Sequence, residues 1–195
     1  MTELWLYIHV SMILDTKLTF ESHVRSITSS ITQKIGLLRK CRRIYANDDV
    51  VRNCFYSFIL PLFEYCSPVW ISAADTHMKL LDRAFAQIKF LLPSLCLNLR
   101  HRRLVGALSY LFKLSSNGDH PLYHLLPGLH QPSRVTRHSL MLNDRAFSPV
   151  FCRSSQFSRC FISSTSKLWN SLPNDIVDSS EVGAFKLRVN SFLLS

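Results

Sequence analysis

The chain has 195 residues, 47% of them hydrophobic, which suits one domain, or one domain and a smaller appendage, around a packed core and excludes disorder throughout. Twenty-three Lys and Arg stand against 13 Asp and Glu, a formal charge of +10 and an isoelectric point near 9.6. That excess favours a polyanionic partner, nucleic acid or an acidic membrane surface, with a plain solvated basic face as the bland alternative. Six cysteines show no close pairing, and three fall at or beside apolar helical positions, so reduced core thiols inside a cell are expected. Glu3 stands where a secretory signal requires positive charge, and Arg52 and Glu64 interrupt the best candidate for a membrane span, so neither a signal nor a membrane partner is expected.

In chain order, Leu4 to Leu14 reads as a short buried strand cut from something larger. Thr19 is the expected N-cap of a helix whose Val24, Ile27, Ile31, Ile35 and Leu38 form one stripe and whose end, Arg39-Lys40-Cys41-Arg42-Arg43, is strongly cationic. Positive charge in a last turn complements the helix dipole, so part of that cluster reads as helix punctuation. Adjacent Asp48 and Asp49 have the look of a metal-binding carboxylate pair, but Asn47 or Asp48 as the cap of the next helix is the better reading. Val50 to Trp70 carries a wide apolar stripe of Val51, Cys54, Phe55, Phe58, Ile59, Leu62 and Phe63, so it is expected to be the central helix of a bundle. It should bend at Pro61 and stop before Pro68, with a turn at Ser67-Pro68-Val69-Trp70.

Ala74 to Leu92 suits a third amphipathic helix stopped by Pro93, and Asn98 to Lys113 a fourth. The fourth is entered through Arg100-His101-Arg102-Arg103, and cations there oppose the helix dipole, so helical stability does not explain them. This makes them the stronger candidate phosphate contacts, against ordinary surface charge. Between Arg100 and Lys167 ten basic residues face only Asp119 and Asp144. A soft boundary falls at Ser115 to Asp119, followed by a loop rich in proline and glycine. His120, His124, His130 and His138 cluster around it without the paired cysteines of a zinc module, so no metal is expected. Phe147, Phe151, Phe157 and Phe161 alternate with Arg145, Arg153 and Arg159, a pattern for stacking on bases or, more commonly, for packing a small core. Two short helices, Ser163 to Leu172 and Glu181 to Leu194, complete the chain. No Ser-His-Asp set, metal quartet or glycine-rich phosphate loop is present, so neither an enzyme nor a cofactor is expected.

Several separated motifs then stand together. Val10 to Asp15, with Lys17-Leu18-Thr19-Phe20 and His23, resembles the "LGVxLDxxLTFxxH" stretch that follows the catalytic part of reverse transcriptases in jockey-like non-LTR (LINE-type) retrotransposons. Tyr56 to Pro61 and Glu64 to Trp70 resemble that family's "YxSxIxPxLEYCSPVW", and Arg153 to Arg159, with Leu168 to Pro173, resembles its carboxy-terminal segment. The resemblance covers almost everything after Val10. It implies that Tyr7 to Leu14 is a remnant of the primer-grip strand and Thr19 to Leu92 a helical thumb, which in the family packs along the template-primer duplex. The family's metal-binding Asp pair lies upstream of the first motif, so Asp48-Asp49 is not its counterpart, and fingers and palm are absent. Ser11 replaces the family's glycine at that turn.

The expected fold is therefore mainly α: a thumb-like helical bundle with a short N-terminal strand remnant and a loop-rich C-terminal segment ending in short helices. Its expected divisions are residues 1–18, 19–114 and 115–195. The expected function is that of a retrotransposon RNA-directed DNA polymerase fragment without its catalytic palm, retaining sequence-independent RNA or RNA-DNA duplex binding through Arg39, Arg42, Arg43, Arg100, Arg102, Arg103, Arg153 and Arg159. A polymerase palm in trans is a further expected partner, a small-molecule substrate is not, and the location is intracellular, nucleus or cytoplasm. The alternatives are a helical protein-interaction module and a translated retroelement remnant without function.

Overall fold

The computed structural model describes residues 12–45, 47–131 and 142–194, and they are mainly helical. In chain order the helices are α1 (Glu21–Ile44), α2 (Asp48–Cys54), a π-helical turn (Phe55–Ile59), α3 (Leu60–Glu64), α4 (Ser67–Trp70), α5 (Asp75–Leu91) and α6 (Leu99–Ser116). A 3₁₀ turn (Tyr123–Leu125) follows, then α7 (Ser155–Arg159), α8 (Phe161–Asn170), α9 (Asn174–Val177) and α10 (Val182–Phe192). The expected N-terminal strand falls mostly on residues 1–11, outside the described residues; Met12, Ile13 and Leu14 form no strand. The chain divides into two compact units, Met1–Cys66 with Ala73–Leu97, and Ser67–Ser72 with Asn98–Ser195.

In the first unit the stripe of α1 is buried as its spacing requires: Val24, Ile27, Ile31, Ile35 and Leu38 all face inward, joined by His23. The entry to α1 differs from expectation. Phe20, in the left-handed region at φ 57°, is the capping residue, while the Thr19 hydroxyl donates to Asp15 Oδ2 at 2.5 Å and the Thr19 N–H to Oδ1 at 2.7 Å. The Thr19 hydroxyl, then its N–H, hold the Asp15 carboxyl below its usual range, while Thr19 Oγ1 still accepts the Glu21 N–H at 3.5 Å at the start of α1. Leu18 is also left-handed, at φ 51°, and two such non-glycine residues persist here because the Asp15 bonds over-determine the corner. Buried His23 joins it, its Nδ1 accepting the Ile13 N–H at 3.3 Å.

The segment after α1 begins as the cap reading requires, with Asn47 Oδ1 accepting the Asp49 N–H at 2.8 Å. The bend expected at Pro61 is absorbed one turn earlier. Proline lacks an N–H and its ring crowds the carbonyl four residues back, so the preceding turn widens, and the Leu60 N–H reaches five residues back to the Phe55 carbonyl. Helix α3 ends at Glu64, ahead of Pro68, and Cys66 turns the chain at φ 49°. Ser67–Trp70, where a turn is expected, forms a single helical turn, since proline is tolerated in a first turn. Phe55 and Phe63 both meet Phe85 of α5, at 6.3 and 5.8 Å between ring centres. The expected central helix thus shares the core with α1 and α5, which together form the longest seam of the unit.

In the second unit Val105, Leu108, Leu111 and Phe112 of α6 pack against Trp169, Leu172, Phe185 and Val189. Phe112 stacks on Phe185 at 4.4 Å, and Trp169 lies 5.6 Å from Phe185. Asn143 donates to the Trp169 and Leu172 carbonyls at 2.7 and 3.1 Å, tying the loop it sits in to the end of α8 and the residues that follow. The expected division at Ser115 therefore moves: the apolar stripe of α6 is completed by the C-terminal helices, and the boundary lies between Leu97 and Asn98. All six cysteines are free, as expected, but none is fully buried, so they are not core thiols.

Burial pushes the His23 pKa below its ordinary value. The unfolded chain then binds the proton more readily than the folded one, so stability is present above about pH 6.5 and is lost as the pH falls below it. Urea midpoints at pH 7.5 and 5.0 should fall more for the parent chain than for a His23→Gln variant; equal falls would remove His23 as the cause.

Candidate nucleic-acid interface

Helices α1 and α5 run in the same direction. Glu21 lies 3.8 Å from His77 near their starts, Arg39 Nη2 donates to Gln87 Oε1 at 3.1 Å further along, and Arg42 Nη1 donates to the Leu91 carbonyl at their ends. Residues four apart share a helix face, so Arg43 follows Arg39 on α1 and Arg83 precedes Gln87 on α5. The Arg39–Gln87 bond sets these two strips side by side. The result is an exposed set of arginines along one seam: Arg39 and Arg43 one helical turn apart on α1, ~5.4 Å, with Arg83 across the seam on α5, one turn before Gln87. Among the described residues neither Arg43 nor Arg83 forms an ion pair. A side chain at Gly36, about one turn before Arg39, would meet nothing within 4 Å, so the helix surface beside the row is open.

Arg42, expected as a phosphate contact, is committed to the fold. Its guanidinium serves the last carbonyl of α5 and lies 3.3 Å from the Asp48 carboxylate. Arg52 makes a parallel tie, to Asp49 at 2.9 Å and the Ser94 hydroxyl at 3.0 Å. Both carboxylates of the Asp48-Asp49 pair are thus held by arginines, and among the described residues no three His, Cys, Asp or Glu side chains are grouped to hold a metal ion. His120 Nδ1 accepts the Leu122 N–H at 3.1 Å, and His138 lies outside the described residues.

The Arg100 to Arg103 cluster does not act as a unit. At 100° per residue Arg100 and Arg102 leave α6 on nearly opposite sides, both exposed. Arg103 is 5% exposed and lies 5.0 Å over the Trp70 ring, so it is withdrawn as a phosphate contact: four residues after buried Leu99 and four before buried Ala107, it sits on the inward stripe. His101, between them, meets Asn190 Oδ1 at 2.7 Å. Arg153 is exposed, whereas Arg159 is half-buried, with its Nε enclosed and without a hydrogen-bond partner among the described residues. Phe147 belongs to the core, Phe161 packs partly against it, and Phe151 and Phe157 face solvent.

Sequence reasoning missed Arg83. Its four-residue spacing from Gln87 is visible in the sequence, but its place beside Arg39 depends on the parallel packing of α1 and α5, which no local pattern encodes. No family model matches the chain, and no curated protein or solved structure does either. No described helix is long and apolar enough to cross a membrane.

Truncating Arg103 to Ala removes its stack on Trp70 and leaves a void, and should lower unfolding stability by about 1–3 kcal/mol, against within ~0.5 kcal/mol for Arg100→Ala. Urea denaturation of the two variants checks this. Equal stabilities would mean that burial of Arg103 contributes nothing.

Proposed function

We propose that the chain is the thumb and tail of a jockey-like non-LTR retrotransposon reverse transcriptase, an RNA-directed DNA polymerase, acting inside the cell in nucleus or cytoplasm. Its capability is sequence-independent binding of RNA or an RNA-DNA duplex. The observation that carries this reading is the row of Arg83, Arg39 and Arg43 on α1 and α5. Guanidinium groups are always charged and offer forked donors suited to phosphate, and three of them along one helix seam present that charge to a backbone without reading bases. The motif residues Asp15, Thr19, Phe20 and His23 serve the corner before α1, so they support descent through shared architecture rather than through retained chemistry.

A second reading, a helical module that docks on a protein such as a polymerase palm in trans, is favoured by the outer face of α1. Leu37 and Ile44, seven residues apart and so on one side of the helix, are 60% and 73% exposed.

Salt separates the two readings. Three phosphate contacts give a slope near −0.9 per contact, so affinity for a 20-base-pair RNA-DNA hybrid should fall about forty-fold between 50 and 200 mM salt. Replacing Arg39, Arg43 and Arg83 together by Ala should flatten that dependence and weaken binding at least ten-fold at the lower salt. Filter binding measures both quantities. Salt-insensitive binding, or no effect of the triple substitution, would set the reading aside.

A further inference from the structure

The second unit contains a cavity of about 550 Å³, a size suited to a ligand of nucleotide dimensions, whose wall includes Pro149, Val150, Ser163, Ser166, Lys167 and Asn170. Most polar groups in this wall are already engaged. Ser166 Oγ donates to the Ile162 carbonyl at 2.6 Å, Ser163 Oγ meets Cys152 Sγ at 2.8 Å, and the Asn170 side chain bonds the N–H and the carbonyl of Phe147, both at 2.8 Å. Lys167 differs. It is exposed and, among the described residues, has neither a hydrogen bond nor an ion pair. The cavity is therefore apolar with one uncommitted cation at its wall, which suits a flat apolar body carrying a single anionic group.

The surface beside it has the same chemistry. Phe151, next to Val150 of the cavity wall, is 80% exposed, and Phe157 is 45% exposed, with exposed Arg153 between them in sequence. An aromatic ring left in water forgoes the burial that would stabilise it, and a nucleobase face is a sequence-tolerant partner for it. From Arg145 to Asn174 the chain carries four basic residues and no carboxylate, so nothing in this stretch repels a phosphodiester chain.

We infer that this face of the second unit binds unpaired nucleotides of a single strand, with one base in the cavity beside Lys167, a neighbouring base on Phe151, and Arg153 and Lys167 on the phosphates. This rests on the reading of the chain as a nucleic-acid binder and adds a single-strand site on different residues from the arginine row. A tail that holds a single strand complements a bundle that holds a duplex, since a template enters a copying enzyme unpaired.

Fluorescence anisotropy of the full chain with labelled 12-nucleotide oligo(U) and oligo(A), and with a 12-base-pair RNA-DNA hybrid, tests it. Phe151→Ala and Lys167→Glu should each weaken single-strand binding about ten-fold and leave hybrid binding unchanged. Both side chains are exposed, so neither change should disturb folding. Single-strand affinity that is the same in both variants as in the parent, or a parent that binds the hybrid and not the single strands, overturns the inference while leaving the duplex reading intact. A parent that binds none of the three overturns both.

Discussion

The parallel packing of α1 and α5 is the constraint from which the charge distribution of the first unit follows. Two helices that run the same way bring their carbonyl ends together, and each end leaves four acceptors without an intrahelical donor. The dipoles of both helices place negative potential at that end. Arg42 answers it directly by donating to the Leu91 carbonyl while lying 3.3 Å from Asp48, and Arg52 ties Asp49 to Ser94 close by. The cationic end of α1 thus has two parts: Arg42 holds the fold, and Arg39 and Arg43 line the outside of the same seam. The row with Arg83 exists because the seam does.

Much of the fold was legible because burial imposes periodicity. The α1 stripe from Val24 to Leu38, the cap at Asn47, and the inward Phe185 and Val189 of the last helix are each dictated by spacing or by a single side-chain acceptor. Thr19 does accept the Glu21 N–H at 3.5 Å, but the capping position itself falls one residue later, on left-handed Phe20, a conformation its side chain does not announce. The boundary at Asn98 was hidden for a different reason: an amphipathic stripe states that a helix needs a partner and does not state which one.

The arginines divide along the same line. Charge clusters are contiguous in sequence, but a helix spreads neighbours by 100°, so Arg100, Arg102 and Arg103 could never share one face. The inward turn of Arg103 was available in the sequence, since Leu99 and Ala107 flank it at four-residue steps on the buried stripe. The grouping that does emerge, Arg39 and Arg43 with Arg83, joins residues forty or more positions apart and needed the packing of two helices. The two units therefore carry different surfaces, an arginine row on the first and, on the second, exposed phenylalanines beside an apolar cavity.

The account stands on that row meeting a phosphate backbone, and arginine-selective modification by phenylglyoxal with and without an RNA-DNA hybrid tests it at the residues themselves. Protection of Arg39, Arg43 and Arg83 by the hybrid, with Arg103 unreactive in either case because it is buried, is the result the account predicts. Undiminished reactivity of all three in the presence of saturating hybrid would contradict it.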